Sequence, residues 1–90
     1  MFVIISYDII DDKRRLKVAK VLEDYGIRVQ YSVFECILDE AKLREMRENL
    51  VSLIVDEDSL RFYNLCESCI KRIKVFGAAE VTKDKEVYIV

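Results

Sequence analysis

The 90-residue chain contains no histidine, no proline and no tryptophan, and only two glycines, Gly26 and Gly77. Without histidine there is no imidazole base, so Ser-His-Asp chemistry is excluded. Two isolated glycines cannot build a Gly-rich phosphate loop. Three cysteines, an odd number, argue against a disulfide framework. No apolar stretch approaches the roughly 20 residues of a membrane span. The apolar run at the N-terminus is too short, and lacks the basic flank, for a secretory signal. The expectation is a soluble, cytoplasmic protein with no membrane partner. Amides are scarce (Gln30, Asn49 and Asn64) beside abundant Lys, Arg and Glu, a balance that fits a thermophile.

What is present is a dense core and a charged shell: 52% of the residues are hydrophobic and 36% charged. The length predicts a single domain over residues 1–90. A chain of this size hides roughly 60–65% of the surface its unfolded form exposes. So high an apolar fraction therefore points to pairing of copies. The net charge of -2 rules out a uniformly basic nucleic-acid binder. Charge is uneven, however. Residues 39–58 carry seven acids and three bases, and residues 59–90 carry six bases and four acids. Contact with a polyanion must use local patches.

Residues 2–8 read as a strand, with Phe2, Ile4, Ser6 and Asp8 on one face and Val3, Ile5 and Tyr7 on the other. Both faces are largely apolar, which predicts a central strand covered on two sides. Asp11 or Asp12 caps a helix that runs to about Tyr25, with Gly26 as its stop. Its buried stripe is Val18, Val21, Leu22 and Tyr25, with Ala19 at the margin. Residues 27–38 read as extended, either one bent strand or two short ones meeting near Gln30–Ser32. Asp39 caps a second helix of about 15 residues with Leu43, Met46, Leu50, Leu53 and Ile54 inward. Residues 59–66 form a strand, "ESCIK" a helical turn, residues 72–76 a further strand and "EVYIV" a β-prone end. This order predicts an α+β, ferredoxin-like βαββαβ antiparallel sheet with two helices on one face and a C-terminal strand extension. The other face then needs a cover, most simply a second copy.

Asp8, at the end of an apolar strand, is the conspicuous acid. It reads either as a strand-end carboxylate capping the next turn or as a metal ligand or acid near a dimer axis. A two-fold axis would bring two such carboxylates together, and their repulsion favours a cation between them. Arg14 and Arg15 share the angular sector of the apolar stripe in the helix's first turn. They read either as surface solubilisers or as phosphate ligands, for which the planar guanidinium fork is suited. Cys66-Glu-Ser-Cys69 is a CxxC, but zinc needs four ligands and one other cysteine is the only further soft donor. Its place after a late strand is poor for a thioredoxin-type redox pair, so the thiols read as structural or incidental, with a disulfide in a thermophile as the alternative. Lys71, Arg72 and Lys74 make a small basic cluster, either a solvated edge or a nucleic-acid contact.

One ordered set of residues goes further. Tyr7-Asp8-Ile9 ending an apolar strand, Asp11-Asp12, Arg14-Arg15, Gly26, then Val29-Gln30 and Ser32-Val33-Phe34-Glu35 resembles the CRISPR-associated protein two family. The match is close over residues 1–38 and extends over the whole chain in length and element order. The resemblance implies a ferredoxin-like homodimer packed through open sheet faces, with the C-terminal strand pairing with the partner's sheet. It implies a Mg²⁺ flanked by Asp8 from both copies, which makes Asp8 the metal ligand and catalytic residue. Arg14, Arg15 and Arg28 become phosphate contacts, and Tyr7, Ser32 and Phe34 shape the site. The implied functions are metal-dependent cleavage of single-stranded RNA or double-stranded DNA, and spacer acquisition alongside the CRISPR integrase subunit, holding duplex DNA for insertion. A non-catalytic adaptor, or an RNA-cutting toxin of similar fold, are the alternative readings.

Overall fold

A computed structural model describes residues 1–77 and 81–82. The strand β1 (Phe2–Asp8) enters first and is bonded along both edges. It is followed by α1 (Asp12–Glu23), a hairpin of β2 (Gly26–Gln30) and β3 (Val33–Ile37), α2 (Glu40–Val51), β4 (Ser59–Leu65) and the single turn α3 (Glu67–Ile70). The sheet order is β2-β3-β1-β4, and every hydrogen-bonded neighbour pair is antiparallel. With its two long helices this is the ferredoxin-like fold.

Alternation decides the two faces. Val3, Ile5 and Tyr7 of β1 and Phe34 and Cys36 of β3 are buried with Val18, Ala19 and Leu22 of α1 and Leu43, Met46 and Leu50 of α2. The helix stripes therefore meet one sheet face, as the 3.6-residue spacing requires. The opposite face is built in rows by the register: Ile27, Glu35, Ile4 and Tyr63 in one, and Val33, Ser6 and Arg61 in the next. Ile27 and Tyr63 are exposed there. Thr82 reaches this face, donating from its backbone N–H (3.1 Å) and its hydroxyl (2.6 Å) to Glu35 Oε1.

Both long helices start on an aspartate. The Asp11 carboxylate accepts from the Arg14 N–H and the Asp39 carboxylate from the Lys42 N–H, each at 2.8 Å. These caps satisfy donors that have no intrahelical partner. A polar clasp ties the helices together beyond the core. The Tyr25 hydroxyl donates to Glu45 Oε2 at 2.7 Å and accepts from Asn49 Nδ2 at 3.0 Å. The bond to Glu45 holds that carboxyl below its usual range and raises the Tyr25 phenol.

One open alternative is settled and three sequence expectations change. The extended stretch is two strands, because a turn at Tyr31–Ser32 folds it into a hairpin. The second helix ends at Val51 rather than about three residues later, so Leu53 and Ile54 pack against the core from the following loop. Residues 72–76 form no strand: the chain turns after α3 and continues without regular structure to Gly77, whose φ of 94° suits a residue lacking Cβ. The "EVYIV" segment lies outside the described residues.

Gly26 is the third change. It does not stop α1 with a left-handed turn, since Asp24 is the C-cap and Gly77 is the only described residue with positive φ. Gly26 instead opens β2 opposite Cys36, where a Cβ would collide with Cys36 Sγ and the Glu35 carbonyl. One of those atoms is backbone and cannot swing aside. Gly26→Ala is expected to destabilise the fold by about 1–3 kcal/mol through overpacking. A thermal melt checks this, with an expected fall of about 4–8 °C per kcal/mol for a domain of this size; an unchanged melting temperature would mean the strands separate at no cost.

Candidate functional site at the end of the central strand

The end of β1 meets the tip of the β2–β3 hairpin and the start of α1. The three enclose a cleft of about 360 Å³ lined by Tyr7, Asp8, Ile9, Arg15, Leu16, Ala19, Arg28, Tyr31 and Ser32. Strand alternation sends Tyr7 into the core at 4% exposure and leaves Asp8, one residue on, exposed. The Tyr7 hydroxyl donates to the Tyr31 carbonyl at 3.2 Å, and the Tyr7 N–H donates to the Ser32 carbonyl at 3.1 Å. Tyr7 thus fastens the hairpin tip beside Asp8.

The capping alternative for Asp8 is taken by another residue. Asp11 caps α1, and among the described residues Asp8 has neither an ion pair nor a side-chain hydrogen bond. Its carboxylate is left exposed at a residue that lines the cleft. Arg28 approaches from β2, its guanidinium carbon 5.3 Å from the centre of the Phe34 ring. Phe34 is fully buried and 6.3 Å from the Tyr7 ring, so it supplies a rigid floor beneath the cation. Arg15 reaches in from α1. Its guanidinium donates to the carbonyls of Ile9 (2.9 Å) and Ile10 (3.4 Å) and pairs with Asp12, which holds it against the loop following Asp8.

Arg14 does not join this group. Its Nε and Nη2 make a two-pronged bond to Asp58 at 2.7 and 2.9 Å, and the Asp58 side chain is only 1% exposed. The fork that the sequence reading assigned to phosphate is engaged by the Asp58 carboxylate, and the pair pins α1 to the loop before β4. Asp58 also accepts from the Val55 N–H at 3.1 Å, and its neighbour Ser59 pairs with Asp8. Arg14 and Asp58 so brace the end of the sheet that carries Asp8.

Two members of the cleft were not singled out by sequence reasoning. Tyr31, 95% exposed, sits at the hairpin tip, and Leu16, 63% exposed, faces it from α1. Their signal is an aromatic and a large aliphatic residue at positions that no buried stripe claims. It becomes legible only once the extended segment is recognised as a hairpin.

Among the described residues no three Cys, Asp or Glu side chains converge as a metal cage. Among the described residues, one chain offers the cleft a single carboxylate, that of Asp8. Mg²⁺ takes one or two carboxylates and completes its shell with waters and substrate phosphate oxygens. The donor set of Asp8 fits such a site when a second copy or a phosphate supplies the rest.

A ferredoxin-like domain with one strand-end carboxylate flanked by arginines is the class this geometry defines. The family model described as CRISPR associated protein Cas2 matches residues 1–73. A CRISPR-associated endoribonuclease Cas2 of Chloroflexus aurantiacus is 48% identical over 93 aligned positions, covering 100% of both chains. The crystal structure of Streptococcus pyogenes Cas2 superposes with a TM-score of 0.75 at 37% identity, covering 86% of this chain and 100% of that one. A chain of a partial Cas6-RT-Cas1–Cas2 complex gives 0.75 at 34% identity, covering 82% and 88%. The chain belongs to the CRISPR-associated Cas2 family.

The brace makes stability pH-dependent in a defined direction. The hydrogen bond from Arg14 lowers the Asp58 carboxyl below its usual range. A group depressed on folding stabilises fully above its unfolded pKa, about 3.9 for Asp, and loses that contribution as pH falls through the lower folded value. Arg14→Gln is expected to lower the urea midpoint at pH 7, with the gap to the parent closing below about pH 4. A gap of constant size across that range would show that the pair contributes no charge-dependent stability.

Proposed function

We propose that the chain is a CRISPR adaptation subunit that works as a homodimer, holds duplex DNA together with the integrase subunit, and carries a Mg²⁺-dependent phosphodiesterase capacity at Asp8. The observation that carries this reading is the convergence of Asp8, Arg15 and Arg28 on one cleft, with no second acid in it among the described residues. A lone carboxylate is half of a metal site, and a two-fold axis supplies the other half from the same position. The row through Ile27, Glu35, Ile4 and Tyr63 on the open face, apolar but for Glu35, supports a pairing surface there.

In this scheme Arg28 binds phosphate oxygens, Arg15, tied to Asp12 and the Ile9 carbonyl, adds positive charge at the cleft edge, and Phe34 and Tyr7 fix the geometry from below. Single-stranded RNA is the second candidate substrate, supported by the endoribonuclease designation of the Chloroflexus relative. When bound, Mg²⁺ supplies Lewis-acid polarisation of the phosphoryl group and a more acidic water. Asp8 holds the cation's position, and Arg28 orients the scissile phosphate. The chain lacks histidine and, among the described residues, the cleft holds no second carboxylate, so none of those side chains is placed there as a general base. That favours DNA holding as the main role and cleavage as the subsidiary one. The similarity to a chain of a Cas1–Cas2 assembly supports an integrase partner for this protein too.

Asp8→Asn separates the two roles. Mg²⁺-dependent cleavage is expected to fall to background while duplex binding and integrase-supported insertion persist. Unchanged cleavage removes Asp8 from the metal site, and loss of insertion together with cleavage makes catalysis part of the main function. Sedimentation at micromolar concentration is expected to give a dimer; a monomer undoes the shared-carboxylate scheme.

Arg28→Ala tests the phosphate-binding role. Duplex affinity should weaken evenly across sequences, and the slope of log K against log salt should drop by about 1 for each phosphate that Arg28 neutralises. An unaltered slope places Arg28 off the nucleic-acid path.

A further inference from the structure

At the far end of the sheet from Asp8, β4 gives way to the turn that carries the two remaining exposed nucleophiles. Cys66 immediately precedes α3 and Cys69 lies within it; both thiols are free and exposed, with Sγ atoms 3.3 Å apart. Ser68 Oγ lies 3.2 Å from Cys66 Sγ. Leu65 pairs with Phe2 at the start of β1 while Ser59 pairs with Asp8 at its end. Six residue steps of strand therefore put the thiols roughly 20 Å from the cleft. The third cysteine, Cys36, is fully buried between sheet and helices.

We propose that Cys66 and Cys69 form a thiol–disulfide exchange site that takes low-molecular-weight disulfides of the glutathione type. The Cys66 thiolate attacks one sulfur of the small disulfide, forming a mixed disulfide and releasing one small thiolate. Cys69 then loses its proton and attacks Cys66 Sγ, closing the protein disulfide and releasing the second small thiolate. The two cysteines together lose two electrons, the small disulfide gains them, and the two thiol protons end on the released thiols. Closure shortens the sulfur separation from 3.3 Å to the about 2.05 Å of a disulfide, within reach of side-chain rotation inside one turn.

The surroundings divide the labour. The hydrogen bond with Ser68, aided by the Cys69 N–H and thiol, brings Cys66 down to about 7, whereas the Cys66 sulfur raises Cys69. Cys66 is thus the attacking thiol and Cys69 the resolving one. Burial pushes Cys36 up to about 11, which leaves it an inert internal standard.

The test incubates the purified chain with glutathione buffers of rising oxidised fraction, quenches in acid, then unfolds, alkylates and weighs the intact chain. Reduced protein should take three labels, and oxidised protein one, on Cys36, with dithiothreitol restoring three. Cys69→Ser should stop at a glutathione adduct on Cys66. Cys66→Ser should form an adduct about tenfold more slowly. Three labels in the parent chain at every buffer composition, or a parent chain that itself stops at a stable adduct, overturns the proposal.

Discussion

The structure depends on the way β1 is held. It is hydrogen-bonded on both edges and covered on its helix-side face, so its register fixes every residue along it. A slip of one residue would exchange Tyr7 and Asp8 between core and cleft. The two neighbours do opposite work because their side chains leave opposite faces. Tyr7 goes inward to anchor the hairpin tip through the Tyr31 carbonyl, and Asp8 goes outward without a partner among the described residues.

Around that strand end, polar contacts make a frame rather than a reaction centre. Asp11 caps α1, Arg14 clamps α1 to the buried Asp58, and Arg15 is tied to the loop carbonyls after Asp8. Each of these side chains uses its hydrogen bonds to hold its neighbours in place. Asp8 alone is held rigidly by its backbone while its carboxylate makes no such bond. A rigid mount with an uncommitted ligand atom is what a metal or phosphate site requires. The fully buried Phe34 beneath Arg28 serves the same end, limiting where the cation can rest.

The open sheet face gives the second theme. Its rows mix Ile27, Ile4 and Tyr63 with Glu35 and Arg61. The contact of Thr82 with Glu35 brings the chain back across that face after Gly77. In the proposed scheme this surface and the single acid at the end of β1 set one geometric requirement, a second copy that meets both. The two thiols at the opposite end of β4 stand outside that requirement, so their chemistry can vary without touching the cleft.

Residue order alone determined the alternation of β1, the stripes of α1 and α2, their aspartate caps, the ferredoxin-like order of elements and the prominence of Asp8. These follow from short-range periodicity and local hydrogen bonding, which the order of residues contains. Tertiary structure decided the remainder. Between one bent strand and two short ones the residues could not choose, because β-prone residues run through Tyr31–Ser32 without glycine or proline; the pairing of β2 with β3 decided for the hairpin. Gly26 looked like a helix stop, yet it is required by the close approach of a neighbouring strand, a contact made ten residues further along. Arg14 and Arg15 were indistinguishable by angle. They part company because Asp58, forty-four residues away, accepts one of them and loop carbonyls hold the other. Which arginine faces the cleft is a matter of long-range pairing, and only the folded chain carries it.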